Sequence, residues 1–481
     1  MWKLAILCCF PATLLACAAG PTAPAPAADA TADAPDATDA TDDTTQNGDS
    51  FVATDTSNAD TADAAGATID AKADAKAACS DFFCDDGNPC TTDSCSAVQG
   101  CQHFHNTNPC EDGLACTTGD MCGGGVCVGG KSALWAQDGD SGGETVATTV
   151  AQSVDNALLI AGYTTTGGKG GRDGFVFLID PYGNVNPKKG VLGGSKDDEI
   201  QAIAFGAKGV VIAGSTQSKG AGKRDGWFVN LIGAELNDVT LGGKGDEELY
   251  GLAATGNDYL MAGYSENVAN GDLRFWVVRV DAAGKQIWEK MLNGSAVESA
   301  YGIAATSDGG SIAVGETTVD NNEHLLLVRL DKDGNLLWQK TYHDKGFDNG
   351  WTVLAGPNGF TLGGYRVEGT GPKQAWLGHI GSDGALLSEK TYGPGEFRSI
   401  IALADGSVAA GGTLGSGKSL MKIGSDGDVV WQKTYPGVGT IRGAIALNNS
   451  GFGLAGSTSK AGIANLWAAK ADENGNIACK K

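Results

Sequence analysis

The chain has 481 residues, a formal net charge of −23, 19% charged residues and 74 glycines. That length exceeds one average domain, and a glycine share about twice the usual one indicates many tight turns between short strands. The acidic charge argues against a nucleic-acid partner and against electrostatic docking on anionic lipid. The composition therefore predicts an all-β chain with more than one folded unit.

Residues 1–16 are predicted to be a signal peptide. Lys3 carries a positive charge, and the apolar run from Leu4 to Leu15 is too short to remain as a membrane span. The run ends in Leu14-Leu15-Ala16-Cys17, which resembles the bacterial lipoprotein box. That resemblance implies that Cys17 is acylated, with palmitate among the chains, and becomes the mature N-terminus.

Acylation at Cys17 predicts a firm anchor in a lipid bilayer, because each buried CH₂ contributes about 0.8 kcal/mol. Ala18 follows the cysteine in place of Asp. By resemblance to sorting in Gram-negative bacteria, this implies the outer membrane or the cell surface. An ordinary secretory signal, cut near Ala18 or Gly20, is the alternative.

Residues 17–78 are predicted to be a disordered tether. They consist mainly of Ala, Asp, Thr and Pro, as in the stretch from Asp29 to Asp39. So few large apolar side chains cannot offset the entropy of ordering the backbone.

Residues 79–130 are predicted to be a small disulfide-rich module, since nine cysteines crowd between Cys79 and Cys127. The module resembles Cys-rich repeats of secreted bacterial lipoproteins. Zinc at His103 and His105, or calcium at the Asp-Gly turns, are alternatives that we consider weaker, so no metal or cofactor is predicted. The inner eight cysteines look self-contained, which leaves Cys79 for Cys479. The cysteines expected to be oxidised are Cys79, Cys84, Cys90, Cys95, Cys101, Cys110, Cys116, Cys122, Cys127 and Cys479.

Residues 131–481 contain a repeat of about fifty residues, marked each time by a glycine after a small residue. Each unit reads as four strands, and in the unit from Gly350 to Tyr392 two hairpin turns occur at Pro357-Asn358-Gly359 and Ser382-Asp383-Gly384. Seven such units predict an all-β, seven-bladed β-propeller of four-stranded antiparallel blades. The marker glycines are Gly162, Gly214, Gly263, Gly315, Gly364, Gly412 and Gly456.

The two ends of the repeat region predict how the ring closes. The first unit begins abruptly at Trp135, and the last stops near Cys479, where a further strand is expected. If the N-terminal strand completes the last blade, no sheet edge stays open. The Trp-bearing strand of each unit is expected to be outermost, and the strand of small residues nearest the axis.

The phrase Asp331 to Trp338, of the form Asp-x-x-Gly-x-x-x-Trp, resembles the tryptophan-docking motif of quinoprotein dehydrogenases and of a propeller lipoprotein in outer-membrane β-barrel assembly. The phrase Asp308 to Ser311 resembles uncharacterised bacterial surface propeller repeats. The quinoproteins usually have eight blades, and many carry a vicinal cysteine pair. No cysteine lies between Cys127 and Cys479, so no quinone cofactor is expected.

No catalytic residues are assigned. The acidic clusters Asp197-Asp198-Glu199 and Asp246-Glu247-Glu248 occupy the same place in adjacent repeats, which is typical of solvated turns. An enzymatic site would be expected to break the repeat with a long insertion, and no unit carries one. The sequence therefore favours a non-enzymatic surface propeller that binds or adheres to a polar surface or extracellular ligand, such as a glycan or protein. An extracytoplasmic hydrolase, lyase or oxidoreductase with a site at the axial mouth is the alternative.

The binding face is predicted from loop length. In a four-stranded blade, the loop between strands two and three and the loop to the next blade emerge on one face, and here these are the long polar loops. Two roles remain possible for the arginines of these loops: contact with a ligand, or ion pairs with the neighbouring acidic turns. The candidate ligand-binding residues are Lys169, Arg172, Asp173, Lys223, Arg224, Asp225 and Arg274.

The lipid anchor gives the first testable prediction. The Cys17→Ala variant has no acylation site, so we expect it to enter the aqueous phase in a detergent partition, whereas the parent chain enters the detergent phase. Retention of the variant with the detergent would contradict acylation at Cys17.

Overall fold

The named elements of the computed structural model are β-strands. The predicted signal peptide and tether lie outside the described residues, as do Cys17, Cys79, Cys116 and Cys479. Within the described part, no helix is long and apolar enough to cross a membrane. The described residues are 84–96, 98–113, 117–139, 142–186, 190–206, 209–232, 235–292, 297–319, 322–342 and 347–478.

The cysteine-rich segment holds short strand pairs fastened by disulfides. The strand β1 (Thr91–Ser96) pairs with β2 (Gly100–His105), and Cys84 is bonded to Cys101 in the smaller of two compact units. The larger unit contains the bonds Cys90–Cys122 and Cys110–Cys127, and Cys95 is also oxidised. These bonds confirm the predicted disulfides at the described positions. The short pairs of the larger unit are β3 (Thr117–Thr118) with β6 (Lys131–Ser132) and β4 (Met121–Gly123) with β5 (Val126–Val128).

The strands after β7 (Trp135–Asp138) form antiparallel sheets of four. The first sheet is β8 (Thr145–Gln152), β9 (Leu158–Thr164), β10 (Asp173–Ile179) and β11 (Gly190–Leu192). The second is β12 (Asp198–Gly206), β13 (Gly209–Thr216), β14 (Asp225–Ile232) and β15 (Glu235–Leu241). The third is β16 (Glu247–Thr255), β17 (Asp258–Glu266), β18 (Leu273–Val280) and β19 (Gln286–Met291). The fourth is β20 (Glu298–Ala305), β21 (Ser311–Val319), β22 (Asn322–Leu330) and β23 (Leu336–Tyr342).

Three further sheets are linked by two long strands, each of which belongs to two neighbouring sheets. The first half of β27 pairs with β26 and its second half with β28, and β30 divides in the same way between β29 and β31. The described strands thus make seven four-stranded blades, which confirms the predicted propeller. The strands concerned are β24 (Phe347–Gly356), β25 (Gly359–Val367), β26 (Gln374–Gly381), β27 (Leu386–Ala402), β28 (Val408–Leu414), β29 (Gly417–Ile423), β30 (Val429–Ala446), β31 (Phe452–Lys460) and β32 (Ile463–Ala471).

The N-terminal strand closes the ring. β7 pairs antiparallel with β32, so that Asp138 lies opposite Trp467 and Trp135 opposite Lys470. One apolar cluster contains Trp135, Leu158 and Ala455, and so joins β7 and the first and last blades. The predicted closure is therefore confirmed, and β7 is the outer strand of the last blade.

The turns that precede the outer strands of the fourth and fifth blades each pack against a tryptophan of the preceding blade. The indole of Trp288 on β19 donates a hydrogen bond to the carbonyl oxygen of Lys332 in the next blade, at 3.1 Å. Trp338 makes the equivalent bond to Ser382 at 3.2 Å. The Trp strands are the outer strands of their blades, as expected, and their aromatic rings fix the position of the neighbouring blade.

The marker glycines lie on the second strand of each blade, opposite a β-bulge in the first strand, which we call the inner strand. A Cβ atom placed at any of them would lie 1.7 to 2.0 Å from a carbonyl oxygen of the inner strand. At Gly263, for example, that oxygen belongs to Glu248, and the strand register shifts between Leu249 and Gly251. The glycine is therefore required by the close approach of backbone that accompanies the bulge.

Replacing Gly263 with Ala should destabilise the propeller by about 3 kcal/mol, because backbone has to move to admit the methyl group. Gly243, in the loop that leads into the same blade, is the control, since a Cβ there meets nothing within 4 Å. Urea unfolding monitored by tryptophan fluorescence measures both variants. Equal stability of the Gly263→Ala and Gly243→Ala variants would contradict a steric requirement for glycine.

Candidate ligand-binding cavity

The bulges place one side chain from every blade around the axis of the ring. In each inner strand a single residue has no Cα partner on the second strand, because the ladder skips it. All seven of these residues line one cavity of about 500 Å³, which we call the axial cavity. They are Thr148, Gln201, Tyr250, Tyr301, Trp351, Arg398 and Arg442.

Three neighbouring blades contribute aromatic rings, which form a continuous arc in the wall of the cavity. The ring centroids of Tyr250 and Tyr301 are 5.2 Å apart, and those of Tyr301 and Trp351 are 4.6 Å apart. The guanidinium of Arg398 follows in the next blade, 3.7 Å from the centroid of the Trp351 ring. These are favourable distances for tilted aromatic pairs and for a cation over a ring.

Acidic side chains behind the arc hold the aromatic residues in place. The Tyr301 hydroxyl donates to Glu316 Oε1 at 2.6 Å, and the Trp351 indole donates to Glu396 Oε2 at 3.2 Å. Burial, followed by the charge of Glu316, raises the pKa of Tyr301. Burial raises the pKa of Tyr250 as well, with a further contribution from Glu248. Both phenols therefore remain protonated donors at any physiological pH.

Two arginines complete the ring beside the arc, and they differ in their partners. Arg398 donates through Nε to Glu396 at 2.6 Å. Arg442, in the next blade, has a buried Nε atom with no hydrogen-bond partner among the described residues. Burial, and then the neighbouring charge of Arg398, lowers the pKa of Arg442. The cavity therefore contains a positive charge that the described part of the protein leaves unpaired.

The loop arginines Arg172 and Arg224 also line the cavity, each bound to a carboxylate of the next inner strand. Arg172 donates to Glu199 at 2.9 Å, and Arg224 to Glu248 at 2.6 Å. The Glu199 and Glu248 side chains are only 8% and 5% exposed. Removing either arginine would leave a buried carboxylate without its cation, which typically costs about 3–5 kcal/mol. Loss of binding after such a change could reflect lost stability, so these arginines are poor probes of ligand contact.

The remaining candidate residues are outside the described lining of the cavity. Asp173 and Asp225 are buried, and each accepts hydrogen bonds from backbone NH groups of its own loop. Lys169 is exposed, and Lys223 pairs with Glu266 at 3.1 Å. Arg274 bonds to Ser265 and lines a separate groove. The structure thus brings two of the seven candidates, Arg172 and Arg224, together at the axis.

The carboxylates of the cavity are fully engaged by neighbouring donors. The amide of Gln201 donates to both Glu199 and Glu248 at 3.1 Å, so each of these two glutamates binds one arginine and one amide hydrogen. The Thr148 hydroxyl donates to the backbone oxygen of Ile200. Among the described lining residues there is no histidine or cysteine. This arrangement positions donors and rings for binding. Each carboxylate oxygen of Glu199 and Glu248 already accepts a hydrogen bond, so none is left unoccupied to take a proton from a substrate.

Sequence reasoning missed Tyr250, Tyr301, Trp351, Arg398 and Arg442. The blades do differ from one another, as is expected at a specific site. The difference lies in the type of one side chain per blade and not in an inserted loop. One signal could have found these residues. Each bulge residue directly follows the position that pairs with the marker glycine, so aligning the repeats on that glycine places the seven residues 13 or 14 positions before it, in two adjacent columns.

Residues 84–104 match the family model of the Dictyostelium (slime mold) repeat. No curated protein sequence matches the chain. Among solved structures, a streptogramin B lyase is 16% identical, with a TM-score of 0.47 and coverage of 70% of this chain and 97% of the lyase. The Pan2 WD40 domain of Neurospora crassa is 12% identical, with a TM-score of 0.45 and coverage of 68% and 89%. The Dos1 propeller is 13% identical, with a TM-score of 0.40 and coverage of 68% and 78%. At these identities the similarity concerns the fold alone.

The carboxylate behind the arc predicts a dependence of stability on pH. Burial, and then the charge of Glu323, raises the pKa of Glu316 above 4.5. The folded state therefore holds this proton more tightly than the unfolded state. The stability that Glu316 contributes is present below pH 4.5 and is lost as pH rises through the raised pKa.

Glu316→Gln is neutral at every pH, so its free energy of unfolding relative to the parent chain should rise across that window. Urea unfolding from pH 4.5 to 8 measures the difference. Exposed Glu473, changed to Gln, is the control and should show a flat difference. A flat difference for Glu316→Gln would contradict the raised pKa.

Proposed function

We propose that the propeller is a non-enzymatic binding module and that its ligand is polar, with a glycan unit as the favoured class. One observation carries the proposal: the scaffold repeats seven times, while the seven bulge side chains differ around the ring. Thr148 and Trp351 occupy equivalent positions, so packing of the ring does not require a large aromatic residue there. Differing side chains around one open cavity support selection for a particular ligand.

The aromatic arc and the polar arc are complementary parts of such a site. Aromatic faces accept the apolar face of a sugar ring, and they lose little side-chain entropy when they do so. The terminal nitrogens of Arg398 and Arg442 offer hydrogen-bond donors of the kind that sugar hydroxyls need, and the amide oxygen of Gln201 offers an acceptor. A cavity of about 500 Å³ falls within the range of small-molecule sites.

An enzyme with its active site in the same cavity is the alternative, and the hydrogen-bond pattern supports it less. Hydrolysis or elimination requires a base or nucleophile within reach of the substrate. Glu199 and Glu248 are instead bound to Arg172, Arg224 and Gln201. The proposed module acts by recognition, without turnover.

The proposed location follows from the N-terminal sequence. An acyl chain on Cys17 would hold the chain in a bilayer at the outer membrane or cell surface, and the acidic tether would separate the propeller from it. In this arrangement the ligand is a surface or extracellular molecule, and the disulfides of the cysteine-rich segment suit an oxidising compartment.

Binding of the full chain to a glycan array tests the proposal, with calorimetric titration of each hit. The Trp351→Ala variant should bind at least about tenfold more weakly, because truncating a central aromatic contact typically costs more than 1.4 kcal/mol. Tyr182 is the control, since it is 42% exposed and outside the described lining of the cavity. Hits that the Trp351→Ala and Tyr182→Ala variants bind equally well would contradict a site in the axial cavity.

A further inference from the structure

The charges that line the axial cavity do not balance. Four arginines and two glutamates line it: Arg172, Arg224, Arg398, Arg442, Glu199 and Glu248. Arg172 and Arg224 are paired with Glu199 and Glu248, and Arg398 with Glu396 behind the wall. Arg442 forms no ion pair with a described residue, and its Nε atom is buried without a hydrogen-bond partner. A buried Nε atom without an acceptor is unfavourable, and Arg442 is the one arginine of the described lining that has no carboxylate in contact.

The unsatisfied donors lie on one side of the cavity. Arg398 uses Nε for Glu396, and its two terminal nitrogens make no hydrogen bond to the described residues. Its guanidinium carbon lies 3.7 Å from the ring centroid of Trp351, and this contact together with the bond to Glu396 restricts its orientation before any ligand binds. Arg442 is the bulge residue of the next blade and lines the same cavity beside Arg398. Two neighbouring guanidiniums with free donors form a receptor for an oxyanion.

Resting on the proposed function, we propose that the ligand is an acidic saccharide whose carboxylate binds Arg442 and Arg398 while its ring lies against the aromatic arc. A carboxylate matches the planar fork of a guanidinium and would supply the missing counter-charge. Trp351 contacts Arg398 on one side and Tyr301 on the other, so a sugar ring that lies against these aromatic residues would bring its carboxylate towards Arg398. Gln201 and Thr148 line the side of the cavity opposite Trp351, so hydroxyl groups of the same sugar would face them.

Calorimetric titration of the full chain with digalacturonate and with galactobiose, its neutral counterpart, tests the carboxylate directly. The acidic disaccharide should bind at least about tenfold more tightly, a difference typical of one charge-assisted pair. In the Arg442→Gln variant the two affinities should become equal within about threefold. Thermal unfolding supplies a second measurement: this variant should melt no lower than the parent chain, because the arginine it lacks has no carboxylate partner to leave behind.

Each outcome decides something. Equal binding of the two disaccharides by the parent chain would overturn the proposal that the ligand is acidic. If that binding is still weakened in the Trp351→Ala variant, the proposed function as a binding module would stand. If neither disaccharide nor any array glycan binds, both proposals fail. A lower melting temperature for Arg442→Gln with an unchanged preference for the acid would show that Arg442 is structural. Arg442→Lys, which keeps the charge and loses the fork, should fold and retain only part of the preference.

Discussion

The site depends on a contact between two backbones that occurs once in every blade. The glycine of the second strand lies so close to the inner strand that a Cβ would fall within 2.0 Å of its carbonyl oxygen. That approach accompanies the bulge, and the bulge adds one residue that does not follow the alternation of the strand. The side chain of this residue lines the axial cavity, whereas the residues before and after it in the inner strand are paired with the second strand. The fold therefore requires glycine at the marker position, whereas it accepts side chains of different size and charge at the bulge residue.

This division separates stability from recognition. The blades hold each other through outer contacts, such as the bond from Trp288 to the turn at Lys332, and through closure of the ring by β7. None of these contacts uses the bulge residues. Changes from threonine to tyrosine or arginine at the axis can therefore alter the cavity while these outer contacts and the closure by β7 stay in place. The result is a strongly acidic chain with a local cluster of guanidiniums at its centre, positioned by stacking on Trp351 and by Glu396.

The fold was predictable because its signals are local and repeated. The phrase from Asp331 to Trp338 contains both a turn residue with a required positive φ, at Gly334, and the aromatic residue that receives the next blade. The unequal ends of the repeat indicated closure, since an extra strand at Trp135 matched a strand missing from the C-terminal unit. Arg172 and Arg224 were found because they sit in long loops beside acidic turns.

The rest of the site was hidden by the same bulge that creates it. Strand patterns are read with a period of two, and an extra residue has no place in that period. Tyr301 and Arg442 therefore read as ordinary strand positions. The partners that decide their chemistry, Glu316 and Arg398, lie on other strands and cannot be identified from spacing.

A crystal structure of the full chain soaked with digalacturonate tests the central claim most directly. The account predicts electron density for the sugar in the axial cavity, with its carboxylate on Arg442 and its ring against the arc of Tyr301 and Trp351. Density in the separate groove beside Arg274, or at the face of the tight turn at Asn358, with the axial cavity empty would contradict it.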